Sequence, residues 1–141
     1  MIVRDLQSAD LPGIAGLLSQ LGYEPDEQEL RDRLAHLAKA PDHRVRVADV
    51  DGKVVGLLHM YERTALEKPR EAVIQSLVVD ATQRGRGVGA ALMREAERWA
   101  RGRDLPAVAL YTRIDRDAAR AFYERLGYEF VATSHLMRRE L

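Results

Sequence analysis

The sequence predicts an α/β (α+β) protein in which helices pack on a mixed sheet, and three observations carry that prediction. Runs with the two-residue alternation of strands and runs with the helical period follow one another in the order β-α-α-β-β-β-α-β-α-β. The Asp51-Gly52 pair sits between two apolar runs and suits the positive φ angles of a tight hairpin, so part of the sheet is antiparallel. At 141 residues and 46% hydrophobic content, the chain fits one domain over 1–141, since domains run to roughly 100–200 residues.

Taken in order, residues 2–6 (IVRDL) form a short first strand. Ser8 or Asp10 N-caps a helix over 8–21 that carries Ile14, Leu17, Leu18 and Leu21 on one stripe and stops at Gly22. After Pro25, Leu30, Leu34 and Leu37 recur at helical spacing with acids early and Lys39 late, as the macrodipole prefers, which gives a second helix over 26–40. HRVRVADVD and KVVGLLHMYER are the hairpin strands. TALEKPRE is a polar loop containing Pro69, and AVIQSLVVD is the strand after it. Helix 87–101 gathers Val88, Leu92, Ala96, Trp99 and Ala100 on one side. Pro106 opens the strand AVALYTRI, Asp115 or Asp117 starts the helix DAARAFYERL, Gly127 ends it, and EFVATSHLMRREL reads as a final strand.

Composition narrows the function. Lys plus Arg (22) equal Asp plus Glu (22), so no global field draws the chain to nucleic acid or an acidic membrane. The absence of cysteine removes disulfides, thiolate metal sites and a sulfur nucleophile. The N-terminus turns polar by Arg4, before any signal-peptide or spanning segment can form, so the expected setting is soluble and cytoplasmic. The four histidines, at 36, 43, 59 and 135, show no metal-binding spacing, and no metal is expected.

The chemically distinctive stretch runs from Val78 to Ala100: strand, a turn crowded with Arg and Gly, then helix. Backbone N–H groups from Arg84 through Gly85, Arg86, Gly87, Val88 and Gly89 to Ala90, at the positive end of helix 87–101, suit a phosphate-type anion. A Walker loop fails because no Gly-Lys-Ser/Thr follows. Gly85-x-Gly87-x-x-Ala90 matches a dinucleotide fingerprint formally, but Asp80 to Gln83 separate it from the strand and an antiparallel hairpin precedes it.

With Arg84-Gly85-Arg86-Gly87-Val88-Gly89 the chain resembles the GNAT superfamily of acyl-CoA-dependent N-acyltransferases, whose signature is Gln/Arg-x-x-Gly-x-Gly/Ala. The preceding strand Ser76–Asp80 and Ala119-x-x-Phe122-Tyr123-x-x-x-Gly127-Tyr128 resemble the same family, over about Arg44 to Leu141. The tail and the Phe-Tyr stretch are more loosely similar to members acting on small amines, of aminoalkylphosphonate and aminoglycoside type. The resemblance implies a mostly antiparallel sheet of about six to seven strands with four helices. It implies acetyl-CoA as cosubstrate and a homodimer through the terminal strands. Leu77 and Val79 would pair with the pantetheine arm if their strand diverges from strand 107–114, and an amide near Val78 would polarise the thioester carbonyl. Tyr123 would protonate the departing thiolate as general acid.

Two departures from the family pattern matter. Many relatives carry a Glu on the strand before the turn, where this chain has Gln75-Ser76, so no carboxylate is placed for direct deprotonation of the amine. Glu71, His59 and Glu62 are candidate bases acting through water, Glu71 foremost, and each also reads as an ordinary solvated residue. Arg116 stands where an Asn is frequent, either touching a phosphate or lying in solvent. The acceptor is expected to be a small primary amine. Glu24, Asp26, Glu27 and Glu29 either attract a cationic amine or serve the start of the second helix. A catalytically weak acyl-CoA-binding sensor is the competing function.

Overall fold

A computed structural model describes residues 1–141 and separates the chain into two compact units, Met1–Leu110 and Tyr111–Leu141. In the first, β1 (Ile2–Asp5), α1 (Leu11–Gln20), α2 (Glu27–Ala38), β2 (His43–Val50), β3 (Lys53–Arg63), β4 (Glu71–Val79), α3 (Val88–Gly102) and β5 (Val108–Leu110) follow in chain order. The five strands lie side by side as β1-β2-β3-β4-β5, antiparallel except for the β4–β5 pair. The hairpin forms as its sequence dictates, with Asp51 and Gly52 at φ 52° and 82° and the Gly52 N–H donating to Asp49 Oδ1 at 2.7 Å.

Each face of the sheet has its own core. On one, Ile14 and Leu17 of α1 pack with Val47, Val54, Leu57 and Val78. On the other, α3 presses against β3 so closely that a Cβ on Gly56 would lie 2.9 Å from Leu92 Cδ1 and 3.1 Å from Val88 Cγ1. Val88, Leu92, Ala96 and Ala100 are buried as their spacing predicts, and Ala91 and Met93 widen the stripe. Burying a side chain the size of Leu92 contributes roughly 1.5–3 kcal/mol.

Polar clamps hold the elements in place. Arg4 on β1 donates to both Asp10 carboxylate oxygens (2.8 and 2.9 Å) and to Asp49 on β2. Asp10 also accepts the Gln7 N–H, so its carboxylate braces the entry to α1 rather than capping the helix. Glu62 of β3, buried on the α3 side, accepts from Arg103 at 2.8 Å and pairs with Arg70. The Arg103 hydrogen bond leads in holding this carboxylate below the usual range.

In the second unit, α4 (Asp117–Arg125) closes on Gly127 at φ 93°, with the Tyr128 N–H donating to Tyr123 O and the Gly127 N–H to Glu124 O, both at 3.0 Å. That pair of hydrogen bonds is the Schellman arrangement. Neither Asp115 nor Asp117 caps this helix; Arg116 takes the N-cap position without a side-chain bond.

The sheet has five strands, not six or seven. Residues 129–141 form no strand and are exposed throughout, because a strand exists where a neighbour pairs with it and their apolar residues, Phe130-Val131 and Leu136-Met137, are split by a small polar run. The expected strand over 107–114 shrinks to Val108–Leu110, the length that β4 pairs. No helix is long and apolar enough to cross a membrane.

Candidate functional site

The turn that follows β4 is built step by step from its residues. Asp80 leaves the strand, its carboxylate accepting both the Thr82 N–H and hydroxyl at 3.0 Å, and its carbonyl accepts the Gln83 N–H at 2.8 Å. These bonds, the backbone one first, keep the Asp80 carboxylate below its ordinary range. Gly85 and Gly87 then adopt φ of 77° and 82°, with open space where a Cβ would sit. L-residues avoid that conformation, so glycine is what lets the chain turn and leaves room for a ligand.

Gly87 is the N-cap of α3 and offers no side chain to it. The Ala91 N–H is bonded to Gly87 O at 3.0 Å, so the amides of Val88, Gly89 and Ala90 have no acceptor within the helix. They point outward at the positive end of a 15-residue helix whose first turn holds no acid. Arg84 and Arg86 are exposed beside them, and Arg84 Nε donates to Val79 O at 3.3 Å.

The end of β4 next to this turn is open. β5 pairs with β4 at Ala72, Val73 and Ile74, and from Gln75 to Val79 the sheet has no further strand on that side. Ser76 stands opposite His59 while Ile74 stands opposite Met60, so Gln75 is an extra, bulged residue. The bulge reverses which backbone groups face β3. The Asp80 N–H donates to Val55 O at 2.8 Å, and by alternation Val78 and Ser76 also bond β3, leaving the N–H and C=O groups of Leu77 and Val79 on the open side. Within this unit β5 ends at Leu110, so no strand pairs with β4 beyond Ile74 on that side.

The titratable candidates separate clearly. Glu71 lies at the far end of β4, 3.9 Å from Arg63. Glu62 is committed to two arginines on the α3 face. His59 is half-buried on the opposite face, directly across from Ser76, and its Nε2 lies 2.9 Å from His43 Nδ1. In the second unit, Tyr123 is half-buried between Phe122 and Tyr128, at ring distances of 5.1 and 6.2 Å. Burial raises its phenol above the ordinary value, so it is protonated at neutral pH. Arg116 is exposed at the start of α4. No group of three or more His, Asp or Glu side chains could hold a metal ion.

The sequence reading missed the His43–His59 contact. Simple counting outward from Asp51-Gly52 pairs Arg44 with His59 and puts the two imidazoles on opposite faces. An irregularity at Ala48/Asp49 shifts the register, so Val45 faces His59 and His43 faces Tyr61, and both rings share a face.

An uncapped helix start beside an open strand edge offers free amides to an anion and unpaired strand groups to an extended chain. The chain belongs to the acetyltransferase (GNAT) family of acetyl-CoA-dependent enzymes, whose family model matches residues 4–128. It is similar to the aminoalkylphosphonate N-acetyltransferase of Salmonella typhimurium, 32% identical over 129 residues, which are 90% of this chain and 84% of that protein. It is also similar to an uncharacterized N-acetyltransferase of Methanocaldococcus jannaschii, 35% identical over 66% of this chain, and the match spans 42% of that protein's length. A structure from Agrobacterium tumefaciens, described as an acetyltransferase, superposes with a TM-score of 0.88 at 28% identity, covering 99% of this chain and all (100%) of that one.

Proposed function

We propose that the protein transfers the acetyl group of acetyl-CoA to a small primary amine, which attacks directly in a ternary complex. The observation that carries this reading is the meeting, at one end of β4, of three acceptor-free helix amides and two outward-facing strand residues, Leu77 and Val79. The donor supplies an activated thioester. The chain's own part is to bind phosphates with the amides from Arg84 to Ala90, assisted by Arg116, and to present a backbone N–H near Val78 to the carbonyl oxygen that gains charge. With no cysteine, the chain has no thiol to carry the acyl group.

Two proton movements remain. The thiolate leaving group takes a proton from Tyr123, a role supported by the family motif around this residue and by a phenol that burial keeps protonated. The ammonium must lose a proton before attack, and with Gln75-Ser76 unable to take it, the proton leaves through water to a base elsewhere on the chain, for which Glu71, His59 and Glu62 are the candidates. Similarity to an aminoalkylphosphonate acetyltransferase over most of both chains supports a small amine as acceptor. A homodimer is part of the same reading, checked by light scattering on the purified protein.

A thiol-release assay with acetyl-CoA and a panel of aminoalkylphosphonates, amino sugars and peptide N-termini tests this function. Turnover with a small amine is expected, with kcat falling by about 100-fold or more in Tyr123→Phe and less in Glu71→Gln. Unchanged activity in Tyr123→Phe removes the general acid. CoA at about 100 times its Kd should stabilise the fold by roughly 2.7 kcal/mol, and no thermal protection at that excess would remove the cosubstrate site.

A further inference from the structure

We propose that His59 and His43 form a two-imidazole relay that takes the proton released by the acceptor amine and passes it to solvent. The proposal rests on the N-acetyltransferase reading and names the group that first receives the proton on this chain. Its basis is placement. His59 stands directly opposite Ser76, the β4 residue beside the bulge, where the chain lacks a carboxylate. The segment from Ser76 to Val79 carries the open backbone groups, so His59 is the nearest imidazole in register to them.

The two rings are joined rather than merely adjacent. His43 Nδ1 lies 2.9 Å from His59 Nε2, and His43 is fixed by stacking on Tyr61 with ring centroids 5.1 Å apart and planes 14° from parallel. One N–H fills the contact between the rings, which leaves the pair one free basic nitrogen, at His59 Nδ1 or at His43 Nε2. The proton balance follows. An N–H bond of the ammonium breaks as His59 Nδ1–H forms, His59 passes its Nε2 proton to His43 Nδ1, and His43 releases its Nε2 proton to water. The amine keeps its electron pair for the thioester, and rotation or exchange with water returns the pair to its starting tautomer.

His43 has an exit. It lines a surface cavity whose α2 wall, Leu34, Leu37 and Ala38, carries no charge. Asp5 and Arg44 also line it, 3.1 Å apart, and the Asp5 carboxylate is shared with Arg46 at 2.7 Å. Tyr61 on β3 and the Arg63–Glu71 pair at the β3–β4 end share that face, and Arg4 on β1, opposite Val47, brings the Asp10 and Asp49 carboxylates to it. Burial first, and His43 second, lower the His59 pKa to about 4. At neutral pH the His59 ring is therefore uncharged and keeps one nitrogen without a proton.

The test compares an ammonium acceptor, starting with aminoethylphosphonate and otherwise the panel amine with the highest kcat/KM, with hydroxylamine, which is uncharged at neutral pH. His59→Gln should lower kcat for the ammonium acceptor by about 100-fold and His43→Gln by about 10-fold, with CoA affinity unchanged. With hydroxylamine both losses should shrink below about threefold, because no proton has to be removed before attack. Added imidazole should restore part of the activity of His59→Gly, which a purely structural role would not allow. Equal losses on both acceptors, or wild-type kcat in His59→Gln, overturn the relay while the acetyltransferase reading stands. A wild-type chain that binds CoA but releases thiol with no amine overturns both.

Discussion

The starts of α2 and α3 solve the same problem in opposite ways. At α2, Asp26 takes the extended N-cap conformation and its carboxylate accepts the Glu29 N–H at 2.8 Å, with Glu27 and Glu29 placed against the helix dipole. At α3, Gly87 brings no side chain, sits at φ 82°, and is followed by a first turn without an acid. The α2 terminus is satisfied by its own sequence, whereas the α3 terminus has no side chain to satisfy its first amides. On the function proposed above, the open helix start at the end of an unpaired strand edge is the one that takes the cosubstrate's phosphates, and the closed one is structural.

Closing the α3 terminus is the strongest way to break this contrast. In Gly87→Asp a carboxylate would compete for the amides of Val88, Gly89 and Ala90 and repel a phosphate. Hydrogen bonds to a charged group contribute about 1.5–3 kcal/mol each, so losing one or two should weaken CoA binding by about 100-fold in titration calorimetry. Stability should change little, because a new cap contributes about 1 kcal/mol while the left-handed backbone at that position costs roughly 1–2 kcal/mol. CoA affinity within a few-fold of wild type would show that the turn is not the anion site.

A different glycine sharpens the point. Gly56 is needed for packing, since a Cβ there would press on the side chains of Leu92, Val88 and Ala48 at 2.9–3.2 Å, whereas the turn offers only backbone amides. Gly56→Val should overfill the β3–α3 seam and cost about 1–3 kcal/mol in urea unfolding, with CoA affinity of the folded protein kept within twofold. A loss of affinity without a loss of stability would mean that α3 is positioned for its ligand by this seam rather than by the turn.

How much of this could be read from the chain follows from the range of each interaction. The stripe of α3, the Asp51-Gly52 hairpin and the Gly85–Gly87 turn depend on neighbours within a few residues, and the sequence displays them. The bulge at Gln75, which turns Leu77 and Val79 outward, and the shift at Ala48/Asp49, which brings His43 to His59, depend on how two strands accommodate one another. No local pattern encodes a one-residue slip, yet each slip decides which face a functional group occupies. The tail from Glu129 misled for the complementary reason: its residues are strand-compatible, but pairing belongs to two segments and the sheet ends at β5.

The smallest expected effect comes from opening the terminus that is closed. Asp26→Ala removes the carboxylate that accepts the Glu29 N–H and should cost about 1 kcal/mol, seen as a lower urea midpoint with an unchanged slope. The same variant separates the two roles open to the acidic run Glu24–Glu29. If these residues serve the start of α2, KM for an ammonium acceptor stays at its wild-type value, because an exposed charge at a satisfied helix end contributes little to a distant ligand in salt. If they instead draw the amine, KM rises, and it rises more at low ionic strength than at high. The first outcome is expected, since the Asp26 carboxylate already has its partner in the backbone, whereas the α3 amides have none.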